Sequence, residues 1–158
     1  MSTRSRIGIE EAAGGKIRSI YCHFDGYPEG GVGTTLFEHY TDEQKIRDLI
    51  ALGDISSLGK EIGVPHKFPG DAPLDWNYHN AIQEAGWTTA YHRDRREDLH
   101  ISESGSRKEF LAIDTGEEYY YLWSCKNKCW NWCPHGDTKM RKLTKKTVGK
   151  KERNIKEI

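Results

Sequence analysis

Apolar and polar residues alternate in two short runs near the start of the chain, Arg6-Ile-Gly-Ile-Glu-Glu and Lys16-Ile-Arg-Ser-Ile-Tyr-Cys-His-Phe, with Ala12-Ala-Gly-Gly between them. A two-residue period broken by residues that tolerate positive φ predicts a β-hairpin. Asp25-Gly-Tyr-Pro-Glu-Gly-Gly-Val-Gly, with four glycines and a proline in nine residues, ends regular pairing and predicts a loop. From Thr34 the period lengthens. Leu36, Phe37 and Tyr40 fall near one helical face, and Thr41-Asp-Glu-Gln reads as a capping box opening a second helix with Ile46, Leu49 and Ile50 as its buried stripe. Gly53 is a natural stop, and Asp54 to Gly63 predicts a further short turn or helix.

Prolines at 65, 69 and 73 exclude a single regular element over residues 64–80 and predict an ordered surface loop. Residues 81–98 are ambiguous, with β-formers in Trp87-Thr-Thr-Ala-Tyr followed by the charge run Arg93-Asp-Arg-Arg-Glu-Asp. Phe110-Leu-Ala-Ile, Tyr119-Tyr-Tyr-Leu-Trp and Cys129-Trp-Asn-Trp-Cys then predict an antiparallel meander of three strands. Strands flanking a helical middle make an α+β class, an N-terminal hairpin and a C-terminal meander around helices.

At 158 residues the chain suits one domain. It is polar, 35% hydrophobic and 30% charged, with mean hydropathy −0.82, yet 5 Trp, 8 Tyr and 4 Phe supply mass for a core. No apolar run approaches the roughly 20 residues of a membrane span, and the N-terminus has no apolar stretch before a cleavage site, so a cytoplasmic protein without a membrane partner is expected. The zero net charge conceals an asymmetry. Residues 138–158 hold 9 Lys or Arg against 2 Glu, and the other 137 residues carry net −7. The expected organisation is therefore a single domain over 1–137 with a cysteine-rich end at 125–135, followed by a basic tail over 138–158. An acidic body fits a basic protein surface better than nucleic acid, which only the tail would attract.

Tyr21-Cys-His-Phe-Asp-Gly-Tyr-Pro-Glu-Gly-Gly-Val-Gly resembles a motif of a family of small, uncharacterised bacteriophage and prophage proteins. The likeness extends to Thr3-Arg-Ser-Arg-Ile-Gly-Ile, His39-Tyr-Thr-Asp, residues 50–59 and Trp87-Thr-Thr-Ala-Tyr-His-Arg-Asp-Arg, spanning roughly residues 3–124. One extra glycine in the 29–33 loop and the cysteine-rich end set this chain apart. The resemblance implies a mobile-element origin, and with it an accessory protein that acts against host defences. The function expected on this ground is a stoichiometric inhibitor of the anti-CRISPR type, whose partner is a host defence protein such as a CRISPR nuclease. A small-ligand module for nucleotide or phosphate, or a small enzyme, is the alternative.

Cys125-x3-Cys129-x3-Cys133-Pro-His135 is the sharpest chemical pattern. Three thiols and an imidazole within eleven residues match the four-ligand demand of Zn²⁺, and with every position filled by protein the zinc would be structural. Strand alternation puts Cys129, Cys133 and His135 on one face. Unpaired buried thiols and a disulfide remain alternatives, and Cys22 is a conceivable distal ligand. Gly30, Gly31, Gly33 and Thr34 follow a strand and open a helix, the context in which backbone amides cradle phosphate, although the Gly-Lys-Ser/Thr ending is missing and a purely structural turn accounts for the glycines as well. Cys22 and His23, adjacent on a strand, face opposite ways and cannot form a nucleophile and base, whereas His23 and Asp25 share a face. No complete catalytic set is present. Trp123, Trp130 and Trp132 could stack bases, but core and partner-contact roles suit an acidic body better.

Overall fold

In the computed structural model, which describes residues 2–68, 71 and 75–149, the chain is an α+β domain built on one mixed sheet. β1 (Ser5–Glu10) and β2 (Ile17–Cys22) form the expected hairpin, in register from Ser5 opposite Cys22 to Glu10 opposite Ile17. Gly14 and Gly15 both take positive φ in its turn, which a side chain would resist. After the glycine loop come α1 (Val32–His39) and α2 (Glu43–Ala51), whose Ile46, Leu49 and Ile50 are buried as the spacing requires. The cap of α2 differs from expectation. Asp42, not Thr41, accepts from the Gln44 amide, and the Gln44 side chain reaches forward to Asp48. A carboxylate at this position satisfies the amide and also meets the positive end of the helix dipole.

Residues 54–63 contain a strand, β3 (Ile55–Ser57), rather than a turn or helix. The outer edge of β2 is shared: its first half pairs β5 (Ser102–Ser104), and its end, at Cys22, pairs Ile55 of β3 in parallel. α3 (Trp76–Ala85) occupies the end of the proline-containing stretch, capped by Asp75 and closed by Gly86 in the left-handed region. β4 (Thr89–Ala90) and α4 (Tyr91–Arg95) resolve the ambiguous segment.

Phe110 lies in α5 (Arg107–Leu111), not in a strand. Ser106 caps this helix by accepting from the Glu109 amide, so Ser106-x-x-Glu109 is the start signal that the apolar run conceals. The meander exists with different members: β6 (Tyr119–Ser124), β7 (Cys129–Pro134) and β8 (Arg141–Lys142). The full order is β4-β3-β2-β1-β6-β7-β8, with β1 and β6 parallel. Residues 138–149 are joined to the body: β8 pairs β7, Leu143 is buried, and Val148 of α6 (Lys145–Val148) packs beside α1. The remaining tail, 150–158, lies outside the described residues.

Alternation sorts the sheet into two layers. Ile7, Ile9, Ile20, Cys22, Tyr121, Trp123 and Trp130 face α1 and α2 in the larger core. Ile17, Phe110, Tyr120, Leu122 and Cys133 form a smaller core on the opposite face, under α5. Trp123 and Trp130 are thus buried core residues, their indole N–H groups donating to Glu43 and to the Tyr40 carbonyl. No helix among the described residues is long and apolar enough to cross a membrane.

Candidate functional site

The four expected zinc ligands do not meet. Cys125 lies in the larger core, its Sγ 3.6 Å from an Arg47 nitrogen, whereas Cys133 is sealed in the smaller core on the other side of the sheet. Cys129 and Cys133 share a face of β7, yet four residues at roughly 3.3 Å per residue put them about 13 Å apart along the strand. A zinc thiolate site requires each sulfur about 2.3 Å from one ion. His135 stacks on Tyr120. Cys22, the conceivable distal ligand, is buried in the larger core. All four cysteines are unpaired, and among the described residues no group of three His, Cys, Asp or Glu side chains is placed to hold a metal. Burial pushes the Cys22 thiol up to about 12 and the Cys125 and Cys133 thiols up to about 11. In this arrangement the three thiols are buried and held in the protonated form.

Much of the glycine loop is spoken for. The amide of Gly30 donates to the Thr34 hydroxyl, that of Val32 to the Asp25 carbonyl and that of Gly33 to the Tyr27 carbonyl. Thr34 Oγ1 is itself engaged with the Pro28 and Val148 carbonyls, and Tyr121 holds the loop from below through a 2.7 Å bond to the Gly26 carbonyl. A Cβ on Gly31 would sit 2.2 Å from the Asp25 carbonyl oxygen, and one on Gly33 2.5 Å from Pro28, so both glycines serve close backbone packing. Gly30, Gly31, Gly33 and Thr34 form a turn closed on itself, with the amides of Gly30, Val32 and Gly33 unavailable to a phosphate.

What the loop does is shape a cavity beside it, of about 550 Å³, at the carboxyl ends of β2 and β3. His23, Phe24 and Asp25 line it from the end of β2, and Ser56 and Ser57 from β3. The parallel pairing places them together, because the His23 and Phe24 amides donate to the Ile55 and Ser56 carbonyls. Thr89 of β4 and Tyr91 and Arg95 of α4 form another wall, completed by Phe68 and by His79 of α3.

His23 has a defined role in this wall. The Tyr21 hydroxyl lies 2.7 Å from His23 Nδ1. Burial, first, and the Arg4 charge lower the basicity of His23, while burial raises the Tyr21 hydroxyl, so the bond joins a neutral imidazole to a neutral hydroxyl, and the tautomer sets which of them donates. His23 Nε2 is left as a hydrogen-bonding atom on the cavity wall, acceptor or donor with the same tautomer. On the α4 side, the Arg95 guanidinium lies over the Phe68 ring at 4.2 Å, and Phe68 is 5.3 Å from Tyr91, tilted by 30°. This cation–aromatic stack is held from outside by Asp71, 3.1 Å from Arg95.

A buried polar clamp behind Thr89 keeps the wall in place. The Asp94 carboxylate, wholly buried, accepts from the amides of Ala90 and His66 and from Arg93, which also donates to the Ile62 and Thr88 carbonyls. His66 Nδ1–H donates to the Val64 carbonyl, so its Nε2 accepts from the Thr89 hydroxyl. The Arg93-Asp94 charge run is therefore a structural staple. Asp25, in contrast, takes φ +57 and its carboxylate has no hydrogen-bond or ion-pair partner among the described residues.

His23 and Asp25 are thus brought to one cavity, as their shared face suggests, but their neighbours there could not be picked out by spacing. Among the described residues, segments 21–33, 50–59 and 87–95 supply eight of the ten that line the cavity. Comparison with protein-family models, with curated proteins and with solved structures finds no match.

Proposed function

We propose that this protein is a binding module whose working site is the cavity at the ends of β2 and β3, and that its occupant is a small polar molecule with a planar part. One observation carries the reading: three segments far apart in sequence, around His23 to Asp25, Ser56 to Ser57 and Thr89 to Arg95, converge on one cavity. Its size lies within the roughly 300–1,000 Å³ of small-molecule sites, and its lining joins aromatic walls to a few polar groups, the usual composition of such sites. This keeps the small-ligand alternative read from the sequence and moves the site from the loop amides to the cavity that the loop borders.

The test is a thermal-shift screen of the intact protein against nucleotides, nucleosides, sugar phosphates and amino acids, followed by calorimetry. Ser57→Trp, which fills the cavity, is expected to abolish binding of any hit while the variant stays folded. Hits that bind the variant equally well, or a screen without hits, would count against the reading.

The protein-blocking function has its own support. Phe24 and Tyr27 are 42% exposed and Trp76 64%, with Phe24 at the cavity and the Trp76 ring 5.9 Å from that of His79. Exposed aromatics beside a cavity are the side chains that anchor protein interfaces. In that case Trp76→Ala weakens a one-to-one complex with a host defence protein that survives gel filtration, and Ser57→Trp spares it.

A further inference from the structure

We infer that the cavity recognises a heterocycle carrying adjacent N–H donors, of the 2-amino-4-oxo type found in guanine nucleotides and pterins, with Asp25 as the residue that reads those donors. The inference rests on the small-ligand reading and adds the ligand's chemistry.

The argument is one of complementarity. An ionised carboxylate is acceptor-only and can take two parallel N–H groups, and among the described residues Asp25, exposed at the cavity's edge, is the one carboxylate that lines it and has no hydrogen-bond or ion-pair partner. The turn that carries it is held by the Val32 amide on the Asp25 carbonyl, with the backbone at φ +57, a region that a non-glycine residue enters at a cost and that recurs at ligand sites. Hydroxyls of Ser56, Ser57 and Thr89 can donate or accept and so do not discriminate. Phe24 and Tyr91 offer ring faces for a planar ligand, Phe68 being buried beneath Arg95, and His23 adds Nε2 as a hydrogen-bonding atom for the ring. Arg95, on α4, is the cation of the cavity wall, its guanidinium ordered on Phe68 and paired with Asp71 at 3.1 Å and Glu97 at 3.6 Å, and a phosphate or carboxylate borne by the ligand would meet it in competition with those two. Adenine and cytosine present one amino group next to an acceptor nitrogen, which a carboxylate would repel.

Calorimetry of the full-length protein with guanosine monophosphate, guanosine, adenosine monophosphate, cytidine monophosphate, a soluble pterin carboxylate and inorganic phosphate tests this. The expected order is guanosine monophosphate at least tenfold tighter than the adenosine and cytidine compounds. Asp25→Asn, isosteric and equally tolerant of positive φ, should weaken guanosine monophosphate at least tenfold with an unchanged melting temperature. Arg95→Gln should reduce guanosine monophosphate to the affinity of guanosine. Tighter binding of the pterin, lost in Asp25→Asn, would keep the proposed chemistry and name pterins as its source. Equal binding of all three nucleotides, abolished by Ser57→Trp but indifferent to Asp25→Asn, overturns the inference and leaves the cavity reading standing. Inorganic phosphate alone binding as well as the nucleotide also overturns it. No binding by any probe, in this panel or the wider screen, overturns both.

Discussion

Arg6 and Glu117 form an ion pair inside the smaller layer of the sheet, and breaking it from the Glu117 side is expected to cost more than removing the pair. The two side chains are 4% and 0% exposed, with Nε 2.6 Å from the carboxylate. Arg6 also donates to Ser19, Ser102 and Thr115 hydroxyls, and Glu117 accepts from the Thr115 amide and hydroxyl, so the pair ties β1, β2, β5 and the turn before β6 together. Glu117→Leu leaves a buried guanidinium cation whose remaining hydrogen-bond partners are the neutral Ser19, Ser102 and Thr115 hydroxyls, with the Asp54 carboxylate a more distant charge. Such an uncompensated charge costs about 3–5 kcal/mol. At roughly 2–4 °C per kcal/mol for a chain of this size, the melting temperature should fall by about 6–20 °C. Arg6→Met combined with Glu117→Leu should recover most of the loss, since replacing both partners of a buried pair by apolar groups is often near neutral. Urea unfolding of the wild type, both single variants and the double variant gives the cycle. A Glu117→Leu loss below about 1 kcal/mol, or a double variant as unstable as the sum of the singles, would refute the reasoning. The pair also sets an acid dependence. Burial pushes the Glu117 carboxyl up, but the Arg6 guanidinium and the Thr115 donors outweigh it and hold it below 4.5. A folded value below the unfolded one contributes stability above about pH 4.5 that is lost as pH falls through the folded value, so Glu117→Gln should flatten the stability profile in that acid range.

Chelator treatment followed by elemental analysis should leave the melting temperature unchanged and reveal no stoichiometric zinc, given the separation of Cys125 from Cys133 across the sheet; a metal-dependent fall of several degrees would contradict that placement. Truncation after Asp137 should destabilise the fold by about 3 kcal/mol or more, as Leu143 and Val148 lose burial worth roughly 1.5–3 kcal/mol each, and a near-neutral result in urea unfolding would show β8 and α6 to be dispensable. Ser106→Ala removes the cap of α5 and should cost about 1 kcal/mol by the same measurement, with Ser106→Gly costing less. Glu43, held down to about 2 chiefly by Lys128 and also by Trp123, is partly exposed, so Glu43→Gln should cost only about 0.5–1 kcal/mol and should remove stability that the wild type shows above pH 4.5 and loses as pH falls towards 2.

Local pattern was sufficient for the hairpin and for α1 and α2. The alternation of Ile7 and Ile9, two glycines suited to positive φ, and the helical spacing of Ile46, Leu49 and Ile50 each act within a few residues, over the range where backbone sterics and side-chain direction decide conformation. β3 and β8 were not legible in this way. Ile55-Ser-Ser and Arg141-Lys have little strand character of their own and become strands because β2 and β7 offer them unpaired edges. The apolar run of four at Phe110 fits either element, and packing under the smaller core settles it as a helix. The candidate site divides along the same line. The sequence by itself determined that His23 and Asp25 share a face and that Cys129 and Cys133 share another, since alternation is a property of one strand. Whether residues on a face meet at a point depends on what closes over it. Distance along a straight strand kept the cysteines apart, whereas the parallel docking of β3 onto the end of β2, with α4 and the Asp94 clamp behind it, drew Ser56, Thr89, Tyr91 and Arg95 around His23 and Asp25, and only long-range pairing could decide that.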